Sequence, residues 1–354
     1  MQFSTKNKKE QRIGQLLVDW FVKNRRILPW RITPSIYHRL VSEFMLQQTQ
    51  VATVIPYFKR WIGQFPSISA LAKASEEQVL KAWEGLGYYT RVKNLHKAAK
   101  EIIKKSKNSN IMESDIYPQT PEEWKQFPGI GNYTAHALAS IAQNQYVAAI
   151  DGNVIRVLCR INGIQQSFKS KNQVIKLIQN IAHLYIPPGK GARYNEAIME
   201  FGALICKPKN PFCDLCPIVK YCCSYQKKLD CSQIPNFQKI VYTKKIIQRI
   251  FISNGQFIIL KKTNTKRLHN IFELPLLQDM NQKMSLRAIA KISRSITNEH
   301  ITEIIFEPQN LPEDLTILLQ NSSELTLLPI CELYKITLSG PHRKWLDKKN
   351  LYPK

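Results

Sequence analysis

Residues 206–222 read Cys206-Lys207-Pro208-Lys209-Asn210-Pro211-Phe212-Cys213-Asp214-Leu215-Cys216-Pro217-Ile218-Val219-Lys220-Tyr221-Cys222, four cysteines spaced C-x6-C-x2-C-x5-C. Four thiolates in so short a run are the usual ligand set of an iron–sulfur cluster or a structural zinc. Structural zinc more often sits between two well-separated C-x2-4-C pairs. Here only Cys213 and Cys216 form such a pair, and the spacing favours a [4Fe-4S] cubane. A disulfide framework fits less well, because Cys159, Cys223, Cys231 and Cys331 are scattered and no secretory segment precedes them.

Outward from this loop, the composition is that of a globular chain. Its 354 residues suit two domains, and 44% are hydrophobic. Formal net charge is +25, an excess that attracts a polyanion, with nucleic acid the default partner of a soluble protein. Lys, Ile and Asn are abundant throughout, as an AT-biased genome would give, and this supplies part of the excess. Met1–Gln11 holds no apolar h-region, and no run reaches membrane-span length, so a cytoplasmic protein associated with the nucleoid is expected.

Residues 12–222 read as helix after helix. Ile13, Leu16, Leu17, Trp20 and Phe21 recur at helical spacing, as do Val79, Leu80 and Trp83, then Ala135, Leu138, Ala139 and Ala142. Residues 226–245 lack periodicity and read as a linker. Beyond it, Ile246–Ile252 and Gln256–Leu260 flank Ser253-Asn254-Gly255, a β-hairpin signal. The expected architecture is mainly α over 1–225, a linker at 226–245, and a small α+β domain over 246–354.

Three stretches carry chemistry. Phe127-Pro128-Gly129-Ile130-Gly131 lies between two helical patterns; Gly129 and Gly131 permit a tight turn whose amides open the next helix and suit a phosphate, although such a turn also serves as a plain connector. Asp151-Gly152-Asn153 follows an apolar run and opens a helix. An Asp there is an N-cap, and a capped carboxylate is also held ionised and fixed in direction, as an electrostatic catalyst requires. Leu40, Glu43, Phe44, Gln47 and Val51 share one helical face, which sets a carboxyl group and an amide in an apolar stripe. Burial favours the protonated acid, so Glu43 is a candidate general acid; the alternative is a Glu reaching solvent at the edge of the stripe.

Taken together, these pieces resemble the endonuclease III superfamily of helix-hairpin-helix DNA glycosylases. Within it, Leu28-Pro29-Trp30-Arg31, the run Ser42–Gln50, and Gly85-Leu86-Gly87-Tyr88-Tyr89-x-Arg91 resemble the MutY-type adenine glycosylases over about residues 10–225. The resemblance implies a six-helix module with the hairpin at about 120–143, a [4Fe-4S] cluster on Cys206, Cys213, Cys216 and Cys222, and a monomer acting on double-stranded DNA. The substrate it implies is adenine mispaired with 8-oxoguanine or guanine, flipped from the duplex before its N-glycosidic bond is hydrolysed. Glu43 would protonate the base and help activate water, Asp151 would stabilise the cationic sugar, Tyr133 would position the sugar or Asp151, and Asn153 would orient Glu43. Arg31 and Glu196 match positions that contact the flipped adenine, and Gln48 and Tyr88 match residues that wedge into the duplex. Superfamily members that also cut the backbone use a Lys where Tyr133 stands, so a monofunctional glycosylase is implied.

The segment Leu268–Pro275 resembles a stretch of the MutT-like, Nudix-type domain at the C-terminus of that family. No Glu-rich hydrolase signature follows, so no pyrophosphatase activity is expected. The family's lesion-reading Phe-Ser-His loop has its nearest counterpart in Leu338-Ser339-Gly340-Pro341-His342. A lyase acting on oxidised pyrimidines is the closest alternative, disfavoured by Tyr133 and the Gln47-Gln48 pair. An idle DNA-binding scaffold would need neither Glu43 nor Asp151.

Overall fold

A computed structural model describes residues 8–33, 35–106, 116–238, 242–263, 270–280, 285–296, 298–319 and 324–351. Residues 1–7 of the N-terminal stretch, 239–241 of the expected linker, and Leu268 and His269 of the MutT-like segment lie outside the described residues. In chain order the helices used below are α1 (Lys8–Asn24), α2 (Ile36–Leu46), α3 (Val51–Gln64), α4 (Glu76–Trp83), α5 (Thr90–Ser106), α6 (Pro121–Trp124), α7 (Asn132–Ala137), α8 (Gly152–Asn162), α9 (Lys171–Ala182), α10 (Gly191–Leu204) and α11 (Gly340–Lys348). Besides the short pair Ser167–Phe168 and Asn236–Phe237, the strands used below are β1 (Thr243–Ile250), β2 (Phe257–Thr263), β3 (Ile271–Glu273), β4 (Leu286–Ile296), β5 (Glu299–Pro308) and β6 (Leu325–Pro329). Two compact units emerge: Met1–Gln48, Phe65–Ser69 and Lys97–Lys239 form one; Thr49–Gln64, Ala70–His96 and Ile240–Lys354 form the other.

The first unit is helical and its core follows the apolar periodicity. Ile13, Leu17 and Phe21 of α1 meet Val154, Val157 and Leu158 of α8, Val174 and Ile178 of α9, and Tyr194, Ile198 and Phe201 of α10. Each such side chain contributes roughly 1.5–3 kcal/mol by leaving water. Local chemistry sets the helix ends. Ser35 caps α2, accepting the His38 amide at 2.9 Å, and Asp151 caps α8. Thr120 caps α6, and the chain turns through Gly129, whose φ of +77° is open to glycine, before α7 begins at Asn132. That helix runs on into a π turn over Leu138–Ala142.

Two expectations need correction here. The stripe Leu40–Val51 is not one helical face: α2 stops at Leu46, Gln48 takes a left-handed φ of +57°, and Val51 opens α3. The 226–245 stretch also carries structure, since Asn236-Phe237 pairs in parallel with Ser167-Phe168. The buried Arg160 guanidinium explains it, donating to the carbonyls of Cys231 (2.6 Å) and Ile234 (3.2 Å).

In the second unit two three-stranded sheets form, ordered β1-β5-β4 and β3-β2-β6. β1 pairs with β5 in parallel, Thr243 opposite Glu299 through Ile250 opposite Phe306. The turn at Asn254-Gly255 forms as its residues dictate, with Gly255 at φ +88°, but the hairpin does not propagate. Beyond the bridge between Ser253 and Ile258, the first run joins β5 while β2 pairs with β3 and β6. Tertiary pairing overrides the local signal because the amides of Ile250 and Phe251 bond to Pro275 and Phe306 instead.

Candidate active site

Helix α2 carries Glu43 inward until 4% of it is exposed. Burial pushes its carboxyl above the ordinary carboxylate range against the pull of Arg39 and of a hydrogen bond with Tyr133, and the charges of Asp151 and Glu196 add to the rise. Tyr133 comes from α7; burial and the two carboxylates drive its phenol well up, and its hydroxyl also lies 3.7 Å from the Met199 sulfur. At the start of α8, Asp151 accepts the Val154 amide at 2.7 Å and the Asn153 side-chain amide at 2.8 Å. The hydrogen bonds set the direction of the Asp151 carboxyl as expected, but burial outweighs them and raises it above its ordinary range, so the cap does not by itself hold it ionised.

Glu43, Tyr133 and Asp151 are thus brought together. Asn153 is not where the sequence placed it: its amide serves Asp151 and not Glu43, and its carbonyl accepts Arg156 Nη2 at 2.9 Å. Asn153 sits in the first turn of the helix that Asp151 caps, which puts the neighbouring carboxylate closest. Arg156 in turn donates to the Cys206 carbonyl at 2.8 Å, tying the Asp151 end of α8 to the cysteine loop.

Arg31 and Glu196 also meet, at 3.0 Å, and Glu196 takes Arg39 at 2.8 Å as well. Glu200, one turn along α10, holds Arg26 at 2.7 Å and Arg31 at 3.3 Å. Nothing in the local sequence marked Arg26, Arg39 or Glu200; only the i, i+4 spacing of Glu196 and Glu200 hinted at an acidic face.

Gln48 of the first unit and Tyr88 of the second are both exposed and both left-handed, at φ +57° and +49°. Such backbone costs roughly 1–3 kcal/mol per non-glycine residue and is retained where its surroundings hold it. For Tyr88 the holder is Arg91, which donates to the carbonyls of Leu86 (3.1 Å) and Gly87 (3.2 Å) and stacks 5.6 Å from the Tyr88 ring. Burial lowers the Arg91 guanidinium to about 10. The Gly-Leu-Gly-Tyr-Tyr-x-Arg run is therefore a self-clamped loop presenting an aromatic ring.

Cys206, Cys213, Cys216 and Cys222 line a single pocket, and Cys231 joins them there. Burial pushes the Cys216 thiol up to about 12, so its thiolate would need a compensating cation. Among the described residues no three Cys, His, Asp or Glu side chains converge tightly enough for a single ion. The Arg160 guanidinium lies 3.4 Å from the Cys206 sulfur.

Ser339 and His342, the nearest match to a lesion-reading loop, are buried. His342 Nδ1 accepts the Leu274 amide at 3.2 Å, and Nε2 lies 3.5 Å from Glu303, which is also bound by Arg249 and Arg294. These two side chains are core struts of the second unit. No helix among the described residues is long and apolar enough to cross a membrane.

A hairpin between α6 and α7, a buried carboxyl on α2 and a capped aspartate on α8 define a helix-hairpin-helix base excision repair protein. The model of the HhH-GPD superfamily of base excision DNA repair proteins matches residues 41–183. Among solved structures, a thermostable thymine-DNA glycosylase aligns at a TM-score of 0.55 and 25% identity, over 63% of this chain and 100% of that one. An endonuclease III–DNA complex shares the fold at a TM-score of 0.50 and 19% identity, over 64% of this chain and 99% of that one. The adenine DNA glycosylase of Buchnera aphidicola from Schizaphis graminum is 35% identical over 264 residues, 74% of each chain. Those of Mus musculus and Schizosaccharomyces pombe are each 39% identical, over 60% and 62% of this chain but 41% and 50% of their own. The chain belongs to the adenine DNA glycosylase family.

Proposed function

We propose that this protein excises adenine paired with 8-oxoguanine or guanine in double-stranded DNA by hydrolysing the N-glycosidic bond, without cutting the backbone. The observation that carries this is the pairing of a buried Glu43, pushed above the ordinary carboxylate range, with a helix-capped Asp151 beside Tyr133, where a lyase would present an amine. Glu43 delivers its proton to the adenine ring, so the base departs neutral, and then accepts one from the attacking water. Asp151, held by the Val154 and Asn153 donors, supplies the negative charge facing the oxocarbenium-like sugar. Tyr133 fixes the Glu43 carboxyl by its hydrogen bond.

Arg31 and Glu196 would meet the extruded adenine, and Gln48 and Tyr88 would fill the space it leaves. Gly129 and Gly131 would anchor a backbone phosphate through the hairpin amides. Cys206, Cys213, Cys216 and Cys222 would hold one [4Fe-4S] cluster; when bound, it cross-links the loop so that Lys207, Lys209 and Lys220 face phosphates. Residues 1–225 would make up the catalytic domain, although 49–64 and 70–96 cluster with the sheet-bearing unit, and residues 246–354 would be a divergent MutT-like module without pyrophosphatase activity.

Single-turnover cleavage of duplexes carrying adenine opposite 8-oxoguanine, guanine or cytosine, with and without alkali, tests this. Adenine release with strand breaks only after alkali is expected. Breaks without alkali would overturn the monofunctional reading, and equal rates opposite guanine and 8-oxoguanine would remove the lesion preference.

A further inference from the structure

Cys231 lies outside the four-cysteine spacing, nine residues beyond Cys222, yet it lines the same pocket as Cys206, Cys213, Cys216 and Cys222. Its position is built. Asp230 accepts the Ser232 amide at 2.8 Å and starts the short turn Cys231–Gln233. Arg160, 2% exposed, grips the Cys231 carbonyl at 2.6 Å with the same guanidinium that bonds the carbonyls of Lys207 (2.6 Å) and Pro208 (2.7 Å) in the cysteine loop. That guanidinium also approaches the Cys206 sulfur at 3.4 Å. Cys231 is thus fastened to the first strand of the loop through one buried cation. Cys223, by contrast, packs against Gly163 and lies outside the lining.

We propose that Cys231 is a reserve ligand of the iron–sulfur cluster, standing beside the four primary thiolates and able to replace Cys213 or Cys222 at iron. In the exchange the Cys231 thiol would give its proton to solvent and its sulfur would bond the iron whose bond to the other cysteine has broken, the departing thiolate taking up a proton; no electron is transferred. This rests on the cluster reading above. A fifth thiol restrained at the rim costs little in chain entropy to recruit, because Arg160 has already ordered its backbone.

The test compares wild type, Cys231→Ser, Cys213→Ser and the Cys213→Ser/Cys231→Ser double variant, with the same set built on Cys222→Ser. Each is purified as the full chain without oxygen; iron and sulfide per chain are measured, and Cys231 alkylation by iodoacetamide is followed by mass spectrometry. Wild type and Cys231→Ser should hold equal iron. Cys213→Ser or Cys222→Ser should retain about tenfold more iron than its double variant, with Cys231 slowed about tenfold in alkylation relative to wild type. If both single variants lose iron as completely as their doubles, or if Cys231 is alkylated as fast in an iron-loaded single variant as in wild type, the proposal is overturned. Absence of iron from wild type would instead refute the cluster itself, so the two failures are distinguishable.

Discussion

Replacing Glu200 by Gln removes one charge from the ion-pair cluster of Arg26, Arg31, Glu196 and Glu200, and its cost can be worked out. Glu200 is 2% exposed and accepts the Arg26 amide and Nε, both at 2.9 Å, and Arg26 Nη2 at 2.7 Å, with Arg31 beside it. Burial by itself would raise the carboxyl; the Arg26 and Arg31 donors outweigh it and hold it at about 2 against an ordinary 4.5. At 1.36 kcal/mol per pH unit this differential is about 3 kcal/mol. The folded value is depressed, so the stabilisation is complete above the unfolded value of 4.5 and is lost as pH falls toward 2. Urea unfolding followed by far-ultraviolet circular dichroism at pH 8, 6 and 4 should show Glu200→Gln less stable by about 3 kcal/mol at the two higher values, with the gap narrowing at the lowest. A gap under about 1 kcal/mol at pH 8, or one that widens toward acid, would refute the electrostatic account. Arg31 then keeps its ion pair with Glu196 and its hydrogen bond to the Arg26 carbonyl but loses the second carboxylate, so adenine release should slow as well.

Glu43→Gln should lower the single-turnover rate by about 10²–10⁴ while leaving duplex binding near wild type; turnover within about threefold of wild type would remove its role as proton donor. Because burial raises Glu43, the wild-type rate should fall as pH rises past a value above the usual carboxylate range, and a pH–rate profile without that descending limb contradicts the assignment. Asp151→Asn keeps the cap and should change stability by less than about 0.5 kcal/mol yet lose most activity, whereas Asp151→Ala loses both, with about 0.5–2 kcal/mol of stability; denaturation midpoints beside rates separate the two roles. Gly163→Ala should destabilise by at least about 1–2 kcal/mol, since Gly163 ends α8 at φ +64° and a Cβ there would sit 2.5 Å from the Cys223 sulfur; an unchanged melting temperature would refute this.

What could be read from the chain was short-range. Cys206, Cys213, Cys216 and Cys222 lie within 17 residues, and their spacing confines their sulfurs to one loop whatever surrounds it. Gly129 and Asp151 act through their own φ or their own third-neighbour amide, so the hairpin turn and the cap at α8 were equally legible. The apolar periodicity of α1 and α8 placed the helical core for the same reason. Periodicity is blind to the left-handed residue at Gln48, so the Leu40–Val51 stripe is continuous in sequence but broken in the fold.

Partners distant in sequence were decided by packing alone. Arg26 and Glu200 stand 174 residues apart, Arg160 and Cys231 stand 71 apart, and no spacing rule links either pair. The Asn254-Gly255 turn formed as its residues require, yet β1 left it for β5, because a parallel partner offers eight paired residues where the turn offers a single bridge. Local residues, then, determined the cysteine loop, the hairpin and the carboxyl groups from which the family is read. The fold decided that burial pushes Glu43 above the ordinary carboxylate range, that Asn153 serves Asp151, and that a fifth thiol stands at the pocket. Protonation and ligand geometry depend on the dielectric and on neighbours that only a folded chain assembles.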